Sequence, residues 1–230
     1  MARHTLSPGE ARRVYDRIGR WQDTQAFYED PALDALIACG DFEDARSIFE
    51  IGCGTGRLAE RLLRSHCPPG ARYTASDLSP TMVEIAQDRL APFGDRVTVF
   101  LTEGGPDIPR AEGATDRVVA TYVLDLLSRD DIQAVLAEAY RLLAPTGRLC
   151  LTGLTTGDTL IGRCVSSLWD SVHAVRPEWV GGCRPLSLRA CLDERWWRVK
   201  HHRTVRAWGV PSEVVVAERR NGPEYSSQFS

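Results

Sequence analysis

Between residues 47 and 152 the chain alternates short apolar runs with stretches that are apolar on one helical face only. Ser47–Ile51 reads as a first strand that runs into glycines, and Leu58, Leu62 and Leu63 mark the helix after it. Arg72–Ser76 is a second strand. Ser79-Pro80 caps the next helix, which carries Met82, Val83, Ile85, Ala86 and Leu90. Val97–Leu101 and Arg117–Val123 are the third and fourth strands. Ser128 caps a helix through Ile132, Val135, Leu136, Ala139 and Leu143, stopped by Pro145 and Gly147, and Arg148–Thr152 is a fifth strand. Strands alternating with helices of this length predict βαβ units in a parallel sheet, an α/β fold. Such sheets bind ligands at the carboxyl ends of their strands.

The flanks differ. Ser7-Pro8-Gly9-Glu10 is a capping box, opening a helix through Val14, Tyr15, Ile18 and Trp21. A second helix start at Asp30-Pro31 leads Leu33, Leu36 and Ile37 to a stop at Gly40. Beyond the fifth strand the pattern gives one helix, Leu160–Val175, then a loop rich in Gly, Pro and Arg. Two strands follow, Trp196–Trp208 and Ser212–Glu218, joined at Gly209-Val210-Pro211 as an edge hairpin. No repeat or compositional break marks a boundary. The expectation is one domain over 1–220, with a helical cap at 1–45, an insert at 154–193 and a frayed tail at 221–230.

Composition narrows the function classes. Of 230 residues, 43% are hydrophobic and 26% charged, the balance of a soluble globular protein, and the net charge is −3. A surface devoted to nucleic acid or anionic lipid should be basic, so neither is the expected partner. The seven cysteines form no CxxC pair, against a zinc site or a disulfide framework. The first residues hold no apolar signal core, and no run reaches the roughly 18 apolar residues of a membrane span. A cytoplasmic protein is expected.

The sharpest motif is Glu50-Ile51-Gly52-Cys53-Gly54-Thr55-Gly56, at a strand-to-helix junction. Glycines there permit a tight turn and close approach of a ligand to backbone. A dinucleotide fingerprint needs glycine where Arg57 stands, and a phosphate-binding loop needs a lysine that is absent. A second acid, Asp77, ends the second strand, placed to accept from two ribose hydroxyls. Leu78 and Met82 offer an apolar face to a purine. An acid on a ribose without a phosphate anchor suits a nucleoside.

In these residues the chain resembles the class I S-adenosylmethionine-dependent methyltransferases, in particular the small-molecule branch that includes quinone and phospholipid methylating enzymes. Phe49–Gly56 is similar to that family's first motif and Asp77-Leu78-Ser79-Pro80 with Met82 to its second. Leu142–Leu149 is similar to its turn before strand five, with Thr146 in place of a glycine. The resemblance implies a Rossmann-like, doubly wound, mostly parallel sheet of seven strands in order 3-2-1-4-5-7-6. It implies S-adenosyl-L-methionine as cofactor and S-adenosyl-L-homocysteine as product. Glu50 and the backbone of Gly52, Cys53, Gly54 and Gly56 would face the cofactor's amino-acid part, Asp77 the ribose, and Leu78 and Met82 the adenine. Glu103, with Gly104, stands where the family has an acid that meets the adenine amino group. Tyr122 to Leu127 would border the sulfur and the acceptor, and Tyr15 with Asp16 would cover the cofactor.

The implied activity is methyl transfer to an O, N or S atom of a small apolar molecule. The alternatives are a phospholipid or quinone acceptor at a membrane surface, or a protein that binds the cofactor without turnover. No metal is expected. The catalytic candidates are Tyr122, Asp125 and His173. Asp125 is either a base or a solvated acid near a helix start, and His173 either a proton shuttle or a histidine packed on Trp169. His201-His202 reads as a structural pair rather than a metal site. Trp21, Phe27, Tyr28, Trp169 and Trp179 either line an apolar pocket or belong to the core.

Overall fold

The computed structural model describes residues 26–104, 108–156 and 184–220, with Gly9, Arg12, Arg13 and Asp16. Seven strands form one sheet: β1 (Ser47–Ile51), β2 (Arg72–Asp77), β3 (Val97–Leu101), β4 (Thr115–Thr121), β5 (Leu143–Leu154), β6 (Trp197–Ala207) and β7 (Val210–Arg219). Their order is β3-β2-β1-β4-β5-β7-β6. The first five pair in parallel, and β7 runs antiparallel between β5 and β6. This is the architecture and strand order that the family resemblance implies.

Successive strand residues point to opposite faces, and the two cores follow that period. On one face Ile48, Tyr73, Val214 and Val216 meet helices α1 (Ala26–Cys39), α2 (Arg57–Ser65) and α3 (Pro80–Leu90), through Leu36, Leu62 and Ala86 among others. On the other, Phe49, Val118, Val215 and Ala217 meet α4 (Arg129–Leu142) and α5 (Leu188–Cys191), through Ile132, Leu136 and Leu188. The caps read from sequence hold at α3 and α4: Ser79 Oγ accepts from Met82 N (3.2 Å) and Ser128 Oγ from Asp131 N (3.2 Å).

Four boundaries differ from the sequence reading. Helix α1 contains Pro31 rather than starting there. The ring removes one intrahelical donor, but burial of Ala32, Leu33 and Leu36 outweighs that loss. Strand β4 stops at Thr121, because Tyr122 takes a left-handed backbone (φ 56°). Strand β5 begins at Leu143, directly after α4, rather than at Arg148. The β6–β7 turn is Trp208-Gly209, both with positive φ (54° and 83°), a two-residue hairpin that ends β6 at Ala207 and extends β7 back to Val210. The capping box at Ser7, the helix at Leu160–Val175, Trp21, Trp169, Trp179, Cys164, Cys183 and the 221–230 tail lie outside the described residues.

Candidate active site

The carboxyl ends of β1, β2 and β4 open onto a cavity of about 230 Å³. Its floor is the glycine turn. Gly52 N and Cys53 N both donate to Ser76 O (2.8 and 3.0 Å), tying the turn to the end of β2. Gly52 has φ 68°, and a Cβ there would fall 2.5 Å from Val123 Cγ2. Gly54 has φ 52° and lines the cavity, with no atom within 4 Å of where its Cβ would be. Any side chain at 54 would therefore occupy the space a ligand needs.

Asp77 is nine-tenths buried beside this turn. Its Oδ2 accepts from Gly54 N (2.8 Å) and its Oδ1 from Ser79 N (2.9 Å). A carboxylate has about four acceptor positions, so each oxygen keeps one for a further donor. Burial raises the Asp77 pKa, and the backbone bonds oppose that rise. Asp16, from the N-terminal segment, accepts from Ser79 Oγ (2.6 Å), two residues from Asp77. The Tyr15-Asp16 pair thus has one member at this end of the cavity; Tyr15 lies outside the described residues.

Glu50 is buried under the turn and accepts from Tyr73 Oη (2.9 Å). Burial pushes its carboxyl up to about 8; the Tyr73 bond lowers it and nearby Asp77 adds to the rise. The Cys53 thiol is pushed far up by burial, with Glu50 and Asp77 adding to it, which keeps it protonated and unreactive.

Tyr122 forms the far wall. A bulky residue at positive φ is strained, and such strain gathers at functional sites. Three contacts hold it: Tyr122 N donates to Thr152 O (2.7 Å), its Oη shares a hydrogen bond with Ser212 Oγ (2.9 Å), and its ring meets Tyr28 edge-on at 6.0 Å. Leu126, Leu127 and Val135 make this end apolar.

Of the residues singled out from sequence, Glu50, Gly52, Cys53, Gly54, Asp77, Leu78, Gly104 and Tyr122 line one cavity. Gly56, Met82, Glu103 and Asp125 are not part of its lining. Gly56 closes the turn against Ala86 and Leu90. Met82 is fully buried behind the wall. Glu103 is exposed, and its neighbours Thr102 and Gly104 face the cavity instead. Asp125 is fully buried rather than solvated, and its Oδ2 accepts from Leu154 N (3.1 Å). His173 lies outside the described residues. Among the described residues no cluster of His, Cys, Asp and Glu is suited to a metal ion.

Glu29 was not foreseen. It sits in the first turn of α1, lines the cavity, and pairs with Arg57 Nη2 (3.0 Å), itself the first residue of α2 and part of the lining. Only a fold that lays α1 beside α2 brings residues 29 and 57 together, so no local pattern announces them. Burial pushes Glu29 from 4.5 up to about 7, against the pull of Arg57. An acid raised in the folded state binds protons that the unfolded chain has shed. Stability should therefore fall as pH rises from about 4.5 through 7. Glu29→Gln should make that fall smaller, read as the difference between urea midpoints at pH 5 and pH 8. An unchanged difference would show that Glu29 titrates normally.

The donor set suits a nucleoside bearing an amino acid. It has two acids with spare acceptor positions, a glycine cradle, and apolar walls. Residues 49–149 match the family described as a methyltransferase domain. That stretch holds Phe49–Gly56, Asp77–Pro80 and Leu142–Leu149, the motifs in which the chain resembles the class I S-adenosylmethionine-dependent methyltransferases. Two curated relatives locate the likeness. A malonyl-[acyl-carrier protein] O-methyltransferase of Hahella chejuensis is 38% identical over 123 residues, 54% of this chain and 42% of that protein. A tRNA N(3)-methylcytidine methyltransferase of Drosophila melanogaster is 32% identical over 126 residues, 54% of this chain and 39% of that protein. The chain thus spans about two fifths of the length of each. The structure of the [4+2]-cyclase SpnF superposes with a TM-score of 0.70 at 16% identity, covering 95% of this chain and 98% of that one, a likeness of fold alone.

Proposed function

We propose that this chain is a class I S-adenosylmethionine-dependent methyltransferase and moves the methyl group of that cofactor to an oxygen, nitrogen or sulfur atom of a small apolar molecule. The observation that carries this is the continuity of one cavity, from Asp77 and the glycine turn to the apolar wall at Tyr122, Leu126 and Leu127. At one end Asp77 would accept from the ribose hydroxyls, Glu50 and the backbone at Gly52–Gly54 would hold the amino-acid part, and Leu78, Thr102 and Gly104 would border the adenine. The exposed Glu103 and the fully buried Met82 enter this reading only as neighbours of that set, and Tyr15 lies outside the described residues. The cofactor supplies a methyl group on a sulfonium, already activated for in-line displacement. The chain's own residues therefore need mainly to align the acceptor and exclude water.

Tyr122 is suited to alignment, because three contacts fix its ring and hydroxyl. Leu126, Leu127 and Val135 exclude water at the acceptor end. Glu29, held near neutrality, is suited to receive the proton of an acceptor that must lose one. Asp125 supports the wall by holding Leu154 N, and His173 remains a candidate beyond the described residues. An oxygen acceptor accords with the O-methylating relative from Hahella, and a small one with a cavity of about 230 Å³. Among the described residues no helix is long and apolar enough to cross a membrane.

The test is turnover. The purified chain would be incubated with methyl-labelled S-adenosylmethionine and panels of phenols, hydroquinones, thiols, amines and carboxylic acids, with transfer RNA and lipid vesicles as separate arms. Labelled small product with stoichiometric S-adenosylhomocysteine is the expected result. Label on RNA or lipid alone would overturn the small-molecule reading. Cofactor binding without any product would make the chain a binding protein.

A further inference from the structure

We propose that Glu50 and Tyr73 form a proton-releasing anchor: the Glu50 carboxyl is protonated in the free enzyme and gives up its proton when the cofactor's ammonium arrives, with Tyr73 holding the carboxyl in place. This rests on the reading above that the cavity takes S-adenosylmethionine, and it makes Tyr73 a positioning residue for that site.

The geometry is an unusual burial. Glu50 is 1% exposed yet lines the cavity, so one side of it faces the space a ligand would fill. Its hydrogen-bond donor is a neutral phenol, Tyr73 Oη at 2.9 Å, itself fully buried in the core on the α2 side of the sheet. Among the described residues no arginine or lysine pairs with it. A carboxylate withdrawn from water with one neutral donor and no cation is strongly disfavoured against its protonated form.

The groups around the pair push the same way. From β2, Asp77 adds negative charge; from the glycine turn, Cys53 stays a thiol; and Cys67, just past α2, faces Tyr73 and is likewise raised by burial. Among the described residues the one cation lining the cavity, Arg57 on α2, is paired with Glu29 and Asp30 of α1. The residues directly beside Glu50 on β2 and β4 carry no charge: its register partners are Ala75 and Val119. A cation entering the cavity therefore supplies what the site lacks. The proton balance is simple. The carboxyl O–H bond breaks, the proton goes to solvent, and the carboxylate pairs with the ammonium. Tyr73 keeps its donor on the carboxyl in both states and so favours the ionised one.

The experiment needs no acceptor. Titration calorimetry with S-adenosylmethionine, in buffers of different ionisation enthalpy, counts protons released on binding. At pH 6.5, well below the titration of an α-amino group at roughly 7.7–8.0, wild type should release about one proton per cofactor. Its affinity should rise about tenfold per pH unit between pH 6 and 7.5. Glu50→Gln should abolish both the release and the slope. Glu29→Gln should leave both in place, which separates Glu50 from Glu29, another acid of the cavity that burial raises. Tyr73→Phe removes the bond that lowers the Glu50 pKa. It should weaken affinity at pH 7 and, at pH 8, raise the net release by about half a proton over wild type, whose Glu50 is by then about half ionised before the cofactor binds. A purely structural role for Tyr73 would weaken affinity at every pH without moving the release. Wild-type binding without proton release, or release that survives Glu50→Gln, would overturn the proposal. No binding of S-adenosylmethionine at any pH would instead overturn the cofactor reading on which it rests.

Discussion

Asp77→Ala is expected to raise the dissociation constant for S-adenosylmethionine by at least about 100-fold. The ribose would lose two hydrogen bonds to a charged acceptor, each worth roughly 1.5–3 kcal/mol, and tenfold in affinity corresponds to about 1.4 kcal/mol. The same carboxylate also holds Gly54 N and Ser79 N, so part of the loss would come from a loosened glycine turn. Asp77→Asn separates the contributions. It keeps one acceptor oxygen and the side-chain shape, and it should bind more tightly than the alanine variant while still falling well below wild type. Calorimetric titration of the three proteins reads the effect, and thermal unfolding reports how much of it is structural. Binding within threefold of wild type in Asp77→Ala would place the nucleoside elsewhere.

Gly54→Val should abolish cofactor binding while leaving the protein folded. The position has φ 52° and no atom within 4 Å of its would-be Cβ, so the cost to the free protein is the left-handed backbone alone, roughly 1–2 kcal/mol. Its side chain would project into the cavity that Gly54 lines. Gly52→Val is the contrasting control. There a Cβ would fall 2.5 Å from Val123 Cγ2, and the damage should be to folding. Circular dichroism and binding, measured together, test the contrast. A Gly54→Val protein that still binds S-adenosylmethionine with wild-type affinity would show that the turn does not approach the ligand.

Glu29, Glu50 and Asp77, three of the acids that line the cavity, show how unevenly a sequence announces a site. Glu50 and Asp77 are legible because each is tied to local backbone: one precedes a glycine turn at the end of β1, the other ends β2 before a capped helix. Glu29 is not, because its place depends on α1 lying beside α2, and it meets Arg57 across 28 positions of chain. Asp125 shows the converse. Its position after β4 marks it for the acceptor, but the backbone past Tyr122 turns it inward onto Leu154 N.

The sequence by itself determined the α/β alternation, the motif at Glu50–Gly56, the ribose acid and, through resemblance, the strand order. These follow from apolar periodicity and from turn and cap chemistry, which act over a few residues. Tertiary structure alone decided where the strands end, which acids face the cavity, and how each one titrates. Pro31 stays inside a helix because α1 buries its apolar face, and Tyr122 is held at positive φ by Thr152, Ser212 and Tyr28. Glu50 loses its charge because burial removes water without supplying a cation. Each of these outcomes depends on groups far apart in the chain meeting in a medium of low polarity, and no window of sequence contains both partners.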